Sequence, residues 1–80
     1  MDKVQYTTKK GDQQFKPTCT GEEYRVLRDD MTGWCLACGN EQEGVEQDAR
    51  RYDCEACNAP KVFGLEQLML MGLIQLKEAE

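Results

Sequence analysis

Residues 34–57 read W-C-L-A-C-G-N-E-Q-E-G-V-E-Q-D-A-R-R-Y-D-C-E-A-C, and the cysteine spacing in this stretch decides how the rest of the chain is read. Cys35 and Cys38 form one C-x2-C, Cys54 and Cys57 form another, and fifteen residues separate the pairs. The pattern C-x2-C-x15-C-x2-C is that of a four-thiolate metal site. Two cysteines with two residues between them can turn both sulfurs to one point at the tip of a hairpin. Two such tips facing each other complete a tetrahedron of metal–sulfur bonds of about 2.3 Å. Gly39 follows the first pair and Asn58 the second, the two residue types that best tolerate the positive φ such a turn requires.

Other uses of the four cysteines fit less well. Two disulfides would suit a secreted chain, yet Met1 opens onto Asp2, Lys3 and Gln5 with no apolar leader segment. A redox dithiol needs a βαβ setting, which neither C-x2-C has. Among metals, a closed set of four thiolates favours one structural zinc ion over iron, although spacing alone serves both. Cys19 lies outside the pattern and reads as a free thiol, with a role as replacement ligand the lesser alternative.

Eighty residues make one small domain, which buries so little apolar surface that a metal is a natural staple. Ten basic and fifteen acidic side chains give a net charge of −5. Four thiolates and one divalent ion would take this to about −7. That sign disfavours loose binding to nucleic acid, whose affinity rests on clustered Lys and Arg. The local basic pairs are Lys9-Lys10 and Arg50-Arg51. No stretch approaches the roughly eighteen apolar residues of a membrane span, so a cytoplasmic location with reduced thiols is expected.

Residues 1–33 read as an N-terminal extension. Val4 and Tyr6 alternate with polar neighbours through Thr8, Lys10-Gly11-Asp12 is a turn, and Gln13 to Lys16 is a second strand that Pro17 should end. Thr20 and Glu23 form a capping-box pair ahead of Tyr24, Leu27 and Met31, which predicts a helix from Gly21 to Asp30, with a strand through Tyr24–Leu27 as the competing reading. Residues 34–64 form the metal module. Its acidic loop turns at Gly44, Arg50-Arg51-Tyr52 returns as a strand, Asn58-Ala59-Pro60 turns, and Lys61-Val62-Phe63 closes a small antiparallel sheet. Trp34, Tyr52 and Phe63 are placed to shield one side of the metal.

Residues 65–77 predict an amphipathic C-terminal helix, packed with the rest as one domain. Leu65, Leu68, Met69, Gly72, Leu73 and Leu76 line one face, and Leu70, Met71 and Ile74 carry the apolar surface round the cylinder. That is more than so small a domain can cover, which favours a homodimer through this helix or a protein partner. The tail from Lys77 to Glu80 reads as a solvated end.

The run G-W-C-L-A-C-G-N-E-Q-E-G-V-E-Q-D-A-R-R-Y-D-C-E-A-C-N-A-P-K-V-F-G-L-E-Q-L-M-L-M-G, residues 33–72, resembles a family of small, largely uncharacterised zinc-ribbon proteins encoded by bacteriophages and prophages. The tract Glu43-Gly44-Val45-Glu46 with Asp48-Ala49-Arg50 carries more of the likeness than the cysteines alone, and Gln47 stands where proline would be expected, a surface-loop difference. The resemblance implies a zinc ribbon with Cys35, Cys38, Cys54 and Cys57 as ligands, and a phage origin; with the elements read above, the expected fold is a small α+β zinc ribbon, antiparallel β-hairpins around the four-cysteine zinc site with a C-terminal helix. It implies no activity.

Three functions remain in view. The first is a non-catalytic interaction module that binds a host or phage protein linked to nucleic-acid or defence machinery, through its acidic loop or apolar helix. The second is a nucleic-acid-binding ribbon using Arg50, Arg51, Lys61 and an exposed aromatic. The third is a rubredoxin-like iron electron carrier, although the second C-x2-C lacks the C-P-x-C-G of rubredoxins. Catalysis has little to stand on: the chain has no histidine, and four cysteines leave a metal no open position for water.

Overall fold

The computed structural model describes residues 2–77. Two three-stranded sheets and two short helices follow one another along the chain: β1 (Asp2–Thr7), β2 (Gln13–Thr20), α1 (Gly21–Asp29), β3 (Gly33–Cys35), β4 (Glu41–Gln42), β5 (Val62–Gly64), α2 (Leu65–Leu70) and β6 (Gln75–Lys77). One sheet has the order β1-β2-β6, the other β4-β3-β5. All pairings are antiparallel except β2 with β6. The protein is thus a small α+β fold dominated by antiparallel strands.

The expected first hairpin forms. Its turn is closed by Thr8 N–H to Asp12 O at 2.8 Å and Gly11 N–H to Thr8 O at 2.9 Å, with Gly11 at φ +92°. Pro17, however, does not end β2, which runs on to Thr20. The reason is the alternation of backbone groups along a strand. Phe15 sends its N–H away from β1, to Leu36 O at 2.7 Å, so Pro17, two residues on, lacks a donor on the side where β1 does not need one.

Thr20 caps α1 with the reciprocal pair foreseen: Glu23 N–H to Thr20 Oγ1 and Thr20 N–H to Glu23 Oε1, both 3.1 Å. The helical reading of this segment therefore holds over its strand alternative, ending at Asp29. It stops through two hydrogen bonds, Thr32 N–H to Leu27 O at 3.0 Å and Met31 N–H to Arg28 O at 3.1 Å, with Met31 at φ +55°. This is the Schellman pattern, built on a methionine.

The C-terminal helix is much shorter than expected. It ends at Leu70 and not near Lys77. Gly72, placed on the apolar face by periodicity, takes φ +72° and donates to Met69 O at 3.1 Å, while Leu73 N–H reaches Leu68 O at 2.9 Å. A glycine that can adopt the left-handed conformation outcompetes continuation of a helix with few turns to its credit. The chain then reverses, and Gln75–Lys77 adds to β2 in parallel, a strand that the helical reading concealed. The solvated tail expected over residues 77–80 lies, beyond Lys77, outside the described residues.

Two apolar clusters form. One gathers Cys19, Tyr24, Trp34, Leu36, Phe63, Leu65 and Leu68, the other Cys35, Val45, Ala49, Cys54 and Val62. Strands β3 and β5 separate them: Trp34 pairs with Phe63 and Cys35 with Val62. Successive residues of a strand face opposite sides, so each pair falls to a different cluster. No helix among the described residues is long and apolar enough to cross a membrane.

Candidate metal centre

Each C-x2-C sits in a turn closed by the same two backbone hydrogen bonds. In the first, Gly39 N–H donates to Cys35 O at 2.8 Å and Cys35 N–H to Asn40 O at 2.9 Å; in the second, Asn58 N–H donates to Cys54 O at 2.9 Å and Cys54 N–H to Ala59 O at 3.0 Å. Gly39 and Asn58 hold φ +80° and +62°, the positive values their residue types foretold. The two turns hang on one residue. Val62 is the strand partner of Cys35 and exchanges two hydrogen bonds with Tyr52, at 2.9 and 3.0 Å, just before the second pair.

The four sulfurs converge. All lie within 4.8 Å of one another, with Cys35 Sγ 3.7 Å from Cys57 Sγ and Cys38 Sγ 3.6 Å from Cys54 Sγ. A tetrahedron with bonds of about 2.3 Å has edges of about 3.8 Å, so the donors fit a metal ion of that bond length with little movement. Cys35 and Cys54 are buried, Cys38 is half-buried and Cys57 is exposed. Val45, Ala49 and Val62 cover the inner pair.

The two inner sulfurs each accept from two backbone N–H groups, yet burial and the neighbouring thiols set them apart. Burial pushes the Cys35 thiol up to about 12, against N–H groups of Cys38 and Ala37. Burial also opposes ionisation of Cys54, but N–H groups of Cys57 and Ala56 together with the Cys35 and Cys38 thiols outweigh it and bring that thiol to about 7. The Ala56 N–H lies 3.3 Å from Cys54 Sγ. Such donors stabilise a thiolate, and they remain in place to support one bound to a cation. A divalent ion would supply the charge that holds all four ionised.

Two features of the site escaped the sequence. Gln42 on β4 clamps the second turn, accepting from Glu55 N–H at 3.1 Å and donating to Asp53 O at 3.5 Å. The loop between the cysteine pairs is a packed strap: Val45 is buried, its N–H donates to Met31 O at 2.9 Å, and the loop crosses the paired glycines Gly33 and Gly64. A β-carbon on Gly33 would lie 2.6 Å from Val45 side-chain carbons, and one on Gly64 would lie 2.1 Å from Glu46 O. Gln47 is no mere surface difference, since its side chain donates to Arg28 O at 3.2 Å and its carbonyl accepts from Gln67 N–H at 2.9 Å, tying α1 to α2.

The expected aromatic shield is not at the metal site. Trp34 and Phe63 turn to the other cluster, where Trp34 Nε1 donates to Phe15 O at 3.0 Å. Tyr52 is exposed and donates its hydroxyl to Glu46. Arg50-Arg51-Tyr52 forms a single bridge in place of a strand, because Arg51 takes φ +55°. Cys19 stands apart from the four clustered cysteines, buried in the other cluster. Comparison of the chain with protein-family models, with curated proteins and with solved structures found no match. What the fold and site define is a class: a small α+β protein with four cysteines positioned to hold a metal ion.

Proposed function

We propose that the protein is a zinc ribbon, with one structural Zn2+ held by Cys35, Cys38, Cys54 and Cys57, and that it acts as a non-catalytic module binding a protein partner in the cytoplasm. The observation that carries the metal reading is the convergence of four sulfurs from two matching turns. Four protein ligands fill a tetrahedral ion, so zinc here organises the fold and activates no water. The partner reading is supported by the apolar side chains left exposed on the two helices and after them: Val26, Leu70, Met71 and Leu76. They stand on a molecule with net charge −5, a combination suited to a protein surface with apolar recesses and a basic rim. Given the resemblance of residues 33–72, a host or phage protein of nucleic-acid or defence machinery is the partner class.

Metal analysis of the purified protein should return one zinc per chain; a red, iron-loaded sample would replace the zinc assignment. Affinity capture should recover a protein with the wild-type chain that is lost with the double variant Val26→Lys and Leu70→Lys. Recovery of nothing above background, or of the same protein with both chains, would refute the partner reading.

A further inference from the structure

The overall charge of −5 conceals a separation that the fold makes spatial. Residues 2–16, the β1–β2 hairpin, carry four lysines and two aspartates, net +2, whereas residues 17–80 carry six basic and thirteen acidic side chains, net −7. One of the two aspartates is neutralised: Asp2, at the root, pairs with Lys77 of β6 at 2.9 Å. In sequence the lysines appear as one pair and two isolated residues. The register puts Lys3 opposite Pro17 on one face and Lys16 opposite Val4 on the other, and Lys9-Lys10 stand exposed at the turn.

The hairpin also has an unused face. Phe15 and Pro17 turn inward, and Phe15 packs on the larger cluster. Val4, Tyr6, Gln14 and Lys16 share the opposite face by register, and Val4 and Tyr6 belong to neither cluster. Tyr6 is half-buried and held by its neighbours, its hydroxyl donating to Gln14 Oε1 at 2.8 Å and Lys16 Nζ lying 5.8 Å from its ring. The turn is fixed by two backbone bonds and by Asp12 N–H to Thr8 Oγ1 at 3.1 Å. The hairpin meets the body at Phe15, opposite Gln5, and the turn begins three residues beyond, about 10 Å away or roughly one screening length at 0.1 M salt.

We propose that this outer face and the Lys9-Lys10 turn bind single-stranded nucleic acid, with bases stacking on Tyr6 and phosphates meeting Lys9, Lys10 and Lys16. A preformed aromatic on a strand flanked by cations is the arrangement that takes an unpaired strand without reading its sequence. A duplex would present its bases to no ring, and an acidic protein would leave Tyr6 without a stacking partner. This surface lies apart from Arg50, Arg51 and Lys61 and does not depend on the protein-partner reading.

The test is fluorescence anisotropy with labelled thymidine and uridine oligomers of about 12 nucleotides, using the zinc-loaded full chain at low salt. Binding should weaken as salt rises, by about 0.7 log units in affinity per log unit of salt for each phosphate engaged. Lys9→Glu with Lys10→Glu should weaken it at least ~10-fold and flatten the salt slope, and Tyr6→Leu should cost on the order of 10-fold, a typical loss for one stacked base. Arg50→Gln with Arg51→Gln should leave it intact, and circular dichroism should show every variant folded. Absence of binding at low salt, equal affinity for duplex DNA, equal affinity for polyglutamate, or loss confined to the Arg50/Arg51 variant would each overturn the proposal.

Discussion

At the scale of single residues, the most constrained positions are those with the least side chain. Gly64 has an ordinary φ, and its need for glycine is one of space: any β-carbon would meet the carbonyls of Glu46 and Gln47 at 2.1 and 2.3 Å. Backbone cannot swing aside as a side chain can, so Gly64→Ala should destabilise by several kcal/mol, on the order of 3, read as a lower midpoint in thermal denaturation. Cys19 illustrates a different constraint. Burial, with the Glu23 charge second, pushes its thiol above its usual value of 9.0. A thiol whose folded value is raised contributes stability that is fully present below the unfolded value and lost as pH climbs through the folded one. The fold should therefore weaken above about pH 9, and less so in Cys19→Ala, as followed by circular dichroism against pH. Cys19 should also resist a thiol reagent at neutral pH until the chain unfolds.

The elements show how endings decide identity. Both helices close with the same pair of hydrogen bonds, around Met31 in one case and Gly72 in the other. Leu68 and Leu70 both belong to α2 and lie about 200° apart on it, and the fold buries one and exposes the other: Leu68 is 0% exposed and Leu70 79%. Leu68→Ala should accordingly cost about 2–5 kcal/mol, and Leu70→Ala less than about 0.5. Equal effects in a denaturant titration would refute this orientation of α2. At the other end of the chain, the Lys77–Asp2 pair straddles β2 from β6 to β1, though its exposure to solvent makes it a weak clasp.

For the whole molecule, a metal held by the four cysteines would tip the balance. The cysteine cluster has a thin apolar cover of Val45, Ala49 and Val62, and the strands beside it are only two or three residues long. Structural zinc contributes roughly 10 kcal/mol or more to such small folds. A strong chelator should collapse the dispersion of backbone NMR signals from residues 33–64, and zinc should restore it. Metal retention should fail on acidification, because protons compete for the thiolates. A chain that keeps its signals without metal would show that the Trp34-centred cluster suffices alone.

The amino-acid sequence by itself determined whatever depends on short-range spacing and backbone chemistry. The two C-x2-C turns, the positive φ of Gly39 and Asn58, the hairpin turn at Gly11 and the Thr20–Glu23 cap were legible because each is settled within a few residues. What lay beyond reach was decided by partners distant in the chain. Periodicity could not tell a helix face from an apolar segment that turns at Gly72 and joins β2, since Leu68, Leu73 and Ile74 are apolar for the same core either way. Nor could it say which aromatics approach the metal. Trp34 adjoins Cys35 in sequence and Phe63 adjoins Val62, yet strand geometry sends neighbours to opposite faces, so the residues nearest the ligands along the chain are the ones the folded sheet holds away from them.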